Sequence, residues 1–294
     1  MSSFTKKKID VRITMANKVF SNQGDANTID LSGFRVIAEI KKVGVFGEGF
    51  CSRIKIYGMK QADMNALSIL AWEVLGVNRN TISVFAGDEE SGMAMVFGGQ
   101  IANAWADYSV APDTCLVIDA TAGYTDQIKA ALPSSYLDDV EISAVMKTLA
   151  DSMGYSFSNK GVQGRITSRY FSGTLMKQAR AIAEHAGIAM FIEGDSLIIM
   201  PEENGVIDQA EIPVISPSTG LVGYPTYNKN GICINTLFDP RIQYRGRIKL
   251  ENTLDIVNGE WLVISLAYQL ESEKPNGAWF CQVEARRFQY AATA

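Results

Sequence analysis

Residues 215–250 read ISPSTGLVGYPTYNKNGICINTLFDPRIQYRGRIKL, and the reading of this stretch decides the fold class. Pro217, Pro225 and Pro240 pre-set φ and exclude helix throughout it. Residues 231–237 alternate as a strand does, Asp239-Pro240 breaks the run, and a second strand-like run follows over 247–251. Asn230-Gly231 supplies residues that tolerate positive φ. The pattern predicts a β framework decorated by a long, shaped loop. A structureless loop of that length inside a compact domain is usually functional. With no nucleophile, metal cluster or phosphate cradle in it, contact with another protein is the expected role.

Working outward, period-two alternation recurs over 8–20, 34–43 and 52–58, with Phe34, Val36, Ala38 and Ile40 on one face and Ile54 and Ile56 forming a matching set. The connection 44–49 is Gly-rich but lacks the Gly-Lys-Ser/Thr ending of a phosphate loop and precedes a strand, so it reads as a hairpin link. Residues 60–75 carry a helical stripe of Met64, Leu67, Ile69, Leu70 and Val74, with Gly76 at the C-cap position. Strand signals resume over 81–85, 93–104 and 114–120.

From Tyr124 the periodicity changes. Ile142, Val145, Met146, Leu149 and Met153 predict a helix capped by Asp138 or Asp139 and stopped by Gly154. Residues 155–158 and 166–171 are strand-like, and a second helix starts at Thr174 and stops at Gly187. Residues 188–192 and 197–200 then pair across Glu193-Gly194-Asp195-Ser196 as a hairpin. Long alternating runs over 261–270 and 278–288 close the chain, with Trp279, Cys281, Val283 and Ala285 facing one way. The expected class is α+β, mainly β: two tube-like antiparallel β-barrel domains (1–124 and 206–294) joined by a small α+β module (125–205). No sequence repeat is evident between the two β halves, although their element types agree.

Composition limits the function. The 294 residues are 47 % hydrophobic and 20 % charged, with net charge −5, which gives no support to a duplex-gripping surface. Cys51, Cys115, Cys233 and Cys281 are dispersed, three of them among apolar neighbours in strand-like runs, and read as reduced core thiols. No apolar h-region follows the N-terminal lysines and no run reaches the roughly 20 residues of a membrane span, so a chain made in a cytoplasm and remaining soluble is expected.

Catalytic constellations are missing. His185, the single histidine, lies near a predicted helix end, where it suits the dipole and has no nucleophile beside it in sequence. Glu89-Glu90, Asp138-Asp139 and Glu202-Glu203 sit in turn-like contexts that do not raise a carboxyl pKa as a glycosidase requires. Trp279, Phe280, Arg286, Arg287, Phe288 and Tyr290 mix aromatics with arginines, but alternation assigns half of them to the core. No catalytic residue, cofactor site or metal site is predicted. The candidate interface residues are Tyr224, Pro225, Tyr227, Phe238 and Tyr244, aromatics in a Pro/Gly-shaped setting.

The string 215–227, with Gly231-Ile232 and Leu237-Phe238-Asp239-Pro240, resembles the baseplate hub proteins of contractile-tailed bacteriophages, the late-control-D-like tail hubs related to the N-terminal part of type VI secretion spike proteins. So do Gly154-Tyr155-Ser156-Phe157, Tyr170-Phe171-Ser172-Gly173-Thr174, Leu270-Glu271-Ser272-Glu273 and Gly277-Ala278-Trp279-Phe280; the likeness covers 143–287. The resemblance implies a non-enzymatic structural subunit of the virion tail baseplate, assembled in the host cytoplasm. It implies a homotrimer whose ring joins the hexameric tail tube protein to a trimeric central spike protein. Inside, such a hub contacts the tape-measure protein and lets genomic DNA pass an acidic lumen without specific binding. The chain ends at Ala294 directly after its last predicted strand, so a separate spike protein is expected. The alternatives are a tail-associated cell-wall hydrolase and a carbohydrate- or peptide-binding β module.

Overall fold

Alternation buries one face of the first strands as expected: Ile9, Val11, Ile13, Val36, Ala38, Ile40, Ile54 and Ile56 are buried, while Arg12, Glu39 and Arg53 between them are exposed. The computed structural model describes residues 5–16, 27–44, 49–68, 80–109, 111–136, 138–167 and 169–289. The first block holds β1 (Lys8–Thr14), β2 (Thr28–Leu31), β3 (Arg35–Val43), β4 (Phe50–Tyr57), α1 (Gln61–Leu67), β5 (Thr81–Asp88), β6 (Gly92–Asp107) and β7 (Cys115–Thr121). The β3–β4 hairpin forms as predicted. Val19, Phe20, the connection 45–48, the helical positions Ile69, Leu70, Val74 and Gly76, and Tyr290 lie outside the described residues.

The mixed module follows α2 (Tyr124–Ile128) and contains β8 (Ser134–Tyr136), β9 (Val140–Glu141), α3 (Ile142–Met153), β10 (Ser156–Asn159), β11 (Arg165–Ile166), β12 (Arg169–Phe171), α4 (Leu175–Ala186), β13 (Ile188–Glu193) and β14 (Ser196–Pro201). Thr174 caps α4 by accepting from the Lys177 amide, and Gly154 and Gly187 end the two helices in the left-handed region. The predicted cap of α3 is corrected: its N-cap is Glu141, without a side-chain bond. Asp139 instead takes the Thr167 hydroxyl and the Arg165 guanidinium, and the Ile142 amide donates to the Gly164 carbonyl. The chain enters α3 from a β-bridge, so the acids stand too far upstream to cap.

The last block holds β15 (Val214–Ile215), β16 (Leu221–Asn228), β17 (Gly231–Leu237), β18 (Arg247–Leu250), β19 (Gly259–Glu271) and β20 (Trp279–Arg287). Half of the expected loop over 215–230 is therefore a strand, β16, paired antiparallel with β17. It escapes recognition because its register shifts between Val222 and Thr226, where Gly223 takes φ 72° and Pro225 sits in the bulge. Proline and a glycine bulge are tolerated there because β16 is an edge strand.

Eleven strands run in the order β16-β17-β20-β19-β3-β4-β7-β6-β5-β1-β2, with β18 branching from β19 and β15 from β18. Among the described residues the path is open, from β16 to β2. The two β blocks join where β19 pairs with β3, from Ser265 opposite Val43 to Glu271 opposite Ile37. Beneath this seam Val36, Ala38, Ile40, Leu266, Tyr268 and Leu270 are buried. Burying a Val, Leu or Ile side chain contributes about 1.5–3 kcal/mol, against about 0.5–1.5 for a net hydrogen bond, so the apolar layer outweighs the ladder.

The blocks repeat one topology. The last block's order β16-β17-β20-β19-β18-β15 matches the first block's β3-β4-β7-β6-β5-β1, strand for strand and in chain sequence. The shared neighbours are all antiparallel; only the outermost pair differs, β1 with β5 being antiparallel and β15 with β18 parallel. One bulge coincides as well. The β6–β7 register slips between Ile101 and Asn103, and the β19–β20 register slips between Val263 and Ser265.

The module meets both blocks at one aromatic cluster. Phe50, Phe191 and Tyr244, one from each segment, have centroid separations of 5.5, 5.3 and 5.1 Å. Lys42 is buried beside them, its Nζ 3.4 Å from Glu193 Oε1 and 5.3 and 5.8 Å from the Phe50 and Tyr268 ring centroids. Arg245 donates to the Glu202 carbonyl at 2.7 Å and pairs with its carboxylate at 2.6 Å, while Arg286 donates to the Glu202 and Glu203 carbonyls.

Burial pushes the Lys42 amine below its usual 10.5, and Glu193 offsets this only in part. Unfolded chains therefore bind more protons than folded ones between the lowered value and 10.5, and stability rises with pH across that window. Urea midpoints measured from pH 7 to 10 should show a steeper rise for the native chain than for Lys42→Met, with the variant no less stable at pH 7. Equal slopes would contradict a desolvated amine.

Candidate protein-interaction surface

The candidate aromatics separate into two groups by burial. Tyr224 and Tyr227 on β16 are 73 % and 59 % exposed. Pro225 between them is buried at the bulge. Tyr244 is buried in the aromatic cluster, and Phe238 packs edge-on against Tyr268 and Trp279 at 5.5 and 5.4 Å. The two groups do not converge: Phe238 and Tyr244 hold the chain together, and Tyr224 and Tyr227 line the outer edge of its sheet. The break at Asp239-Pro240 explains the difference, because it turns residues 238–246 back over the sheet, where Ile242 and Tyr244 face inward.

The large sheet buries one face and leaves the other polar. One cross-strand row of that face runs Phe280, Gln269, Glu39, Arg53, Asp119, Asn103, crossing the β19–β3 seam without interruption. Arg53 donates to Asp119 through Nε and Nη2 at 2.8 and 3.0 Å. An exposed pair of this kind contributes about 0–1 kcal/mol, so it tunes surface charge more than stability. Lys41, Lys55 and Glu284 occupy neighbouring rows. Positive and negative side chains are thus interleaved, which keeps the field of this face weak.

Among the described residues, each of the three adjacent acid pairs weighed for catalysis engages a basic partner. Glu89 holds Lys8 at 2.5 Å, and Glu202 and Glu203 anchor the arginines named above. Burial raises the Asp126 carboxyl, which accepts from Tyr155, at the joint between the first block and the module. His185 is exposed on α4. None of the four cysteines is in a disulfide; Cys115 and Cys281 are buried, and burial pushes the Cys281 thiol up to about 12. Cys51 and Cys233 are only half-buried, a departure from the expected core thiols. Among the described residues no group of three or more His, Cys, Asp or Glu is placed to hold a metal, and no helix is long and apolar enough to cross a membrane. The terminal arginines are structural: Arg287 donates to the Asn258 carbonyl at 2.7 Å and covers Trp261.

One surface escapes the sequence reading. β6 is 16 residues long, and β5 pairs with it only as far as Gln100. Beyond that point β7 covers one edge of residues 103–107, and no strand among the described residues pairs with the other. Tyr108, 47 % exposed, follows directly. The unusual length of the run was the available signal.

A family model described as baseplate hub gp41 matches residues 8–283. No curated protein matches the chain. Among solved structures, the tail protein from Neisseria meningitidis MC58 is similar with TM-score 0.65 at 9 % identity, over 96 % of this chain and 97 % of that one. The 43 kDa tail protein of prophage MuSo2 from Shewanella oneidensis gives TM-score 0.61 at 7 % identity, over 96 % and 97 %. A chain of the Francisella PdpA–VgrG complex gives 0.53 at 10 %, over 98 % of this chain and 60 % of that one. At such identities the likeness is one of fold.

The division of the aromatics is directly measurable by chemical denaturation. Tyr244→Ala should cost about 3–5 kcal/mol, as large aromatic truncations in cores do. Tyr224→Ala and Tyr227→Ala should each stay within about 0.5 kcal/mol of the native chain. Comparable losses at all three positions would contradict the placement.

Proposed function

The chain belongs to the baseplate hub gp41 family, and from that membership we propose that three copies close into a ring joining a hexameric tail tube to a trimeric central spike. The family is a structural one of the phage tail, and the ring does its work by matching symmetries, with no reaction to catalyse. The observation that carries this reading is the internal repetition: each chain supplies two blocks of one topology, so three chains offer six near-equivalent units to a six-fold partner. We assign domains 1–124 and 206–294 with a module at 125–205, a division the same repetition supports. The module would then stand outside the repeat, held by the Phe50–Phe191–Tyr244 cluster.

The polar sheet face is the surface suited to a channel. Its interleaved Glu39, Lys41, Arg53, Lys55, Asp119 and Glu284 offer no concentrated positive patch, so DNA passing it finds no phosphate-binding track. The expected acidic lumen becomes, on this reading, a near-neutral one. The tape-measure protein would occupy the same channel before ejection, and the subunit would be made in the host cytoplasm before entering the virion.

Native mass measurement of the purified full chain across micromolar to millimolar concentration tests the ring. The expected species is a trimer of about 96 kDa, three times the 32.1 kDa chain. A monomer or an even-numbered oligomer throughout that range contradicts it.

A further inference from the structure

The chain contains one complete joint between repeats and two halves of another. In the complete joint, β19 uses the edge opposite β20 twice: β18 takes Gly259 to Leu262, and β3 takes Ser265 to Glu271. Its equivalent β6 is used once: β5 takes Gly92 to Gln100, and residues 103–107 are unpaired on that edge among the described residues. In the same joint β3 pairs with β4 on one side and β19 on the other. Its equivalent β16 pairs with β17, and among the described residues no strand pairs with its outer side. One block lacks the incoming strand, and the other lacks the strand that receives it.

We infer that β16 of one copy pairs antiparallel with the free half of β6 in the next copy, repeating between chains the β19–β3 seam inside each chain. The occupant of each edge is thus a second copy of this chain, in a head-to-tail contact that a ring can close. This rests on the ring reading proposed above and specifies which surfaces make it.

The register follows from the bulges. They equate Asn103 with Ser265 on the long strands, and the ladders equate Ile40 with Tyr227 on the receiving strands. Carrying over the seam pairs Ala267–Lys41, Tyr268–Ile40 and Gln269–Glu39 places Trp105 opposite Asn228, Ala106 opposite Tyr227, and Asp107 opposite Thr226. Side-chain sizes fit. The inner joint puts a tyrosine on the long strand against isoleucine, and the outer joint puts a tyrosine on the receiving strand against alanine.

Burial points the same way. Ile40 and Leu270, at 0 % and 1 % exposure, lie under the completed seam, whereas their equivalents Tyr227 and Tyr108 are 59 % and 47 % exposed. Tyr227 lies opposite Ile232, so it points to the apolar side of the sheet and stands uncovered at an edge. An uncovered strand edge with aromatics on its inner side is an aggregation hazard unless a partner strand closes it.

Cysteine pairing tests the register. Asp107→Cys and Thr226→Cys would be directly opposite across the joint, with Cα atoms about 4.5–5.5 Å apart, within disulfide reach. Cys51→Ser, Cys115→Ser and Cys233→Ser complete the variant, since Cys115 faces Asp107 across the β6–β7 ladder and Cys233 faces Thr226 across the β16–β17 ladder. Oxidation should give reducible dimers and closed trimers on denaturing gels. Asp107→Cys with Val222→Cys, out of register, should give none. A chain that is trimeric by mass yet does not cross-link in register, or cross-links equally out of register, overturns this joint and leaves the ring intact. Monomers at millimolar concentration without cross-links overturn both. As a second arm, Tyr227→Asp should abolish the oligomer with the melting temperature unchanged, and an oligomer unaffected by it contradicts the proposal.

Discussion

The ladder between β19 and β3 is the constraint on which the rest of the structure depends. It joins strands 222 positions or more apart in sequence and fuses two β blocks into one sheet. Without it the polar row from Phe280 to Asn103 would be cut in two, and the buried layer of Val36, Ala38, Ile40, Leu266, Tyr268 and Leu270 would lose one wall. A seam this far from local in sequence must be held by burial, because loop closure costs entropy before the contact rewards it. The bulge at Val263 to Ser265 divides β19 into one half that serves its own block and one half that reaches the other.

The module is held differently. Its contact with the β blocks is a small aromatic cluster of Phe50, Phe191 and Tyr244, with one buried amine and two buried or half-buried guanidiniums tying in the hairpin end. Buried charges of this kind are poor sources of stability but strict about geometry. They fix where the module stands relative to the sheet. Since the sheet carries the repeat and the module does not, this cluster would set what the proposed ring presents away from its channel.

Much of this was legible from the residues. Period-two runs located most strands, Thr174 and Gly187 bounded α4, and Glu193-Gly194-Asp195-Ser196 formed the β13–β14 hairpin turn. The edge strand β16 was not legible, because a bulge at Gly223–Pro225 destroys its alternation and resembles a loop. Nor was the repeat. Equivalent positions keep only chemistry, as in Ile101 and Val263, Ile118 and Val283, Ala120 and Ala285, and Asp119 and Glu284, and they align only once each bulge is counted. Of the candidate interface residues, Tyr224 and Tyr227 are exposed, whereas Phe238 is half-buried and Tyr244 buried, because a strand break alone does not tell which way the chain turns. The free half of β6 left no local signal beyond its length.

Two near-equivalent joints alternating around one axis are the central claim. A cryo-electron microscopy reconstruction of the tail tip, resolved well enough to trace strands in the layer formed by this chain, tests it most directly. The account predicts three copies, six similar sheets and six seams, with β19–β3 inside chains alternating with β6–β16 between them. Copies that meet through the module, or a layer in which β16 and the outer half of β6 both face solvent, would contradict it.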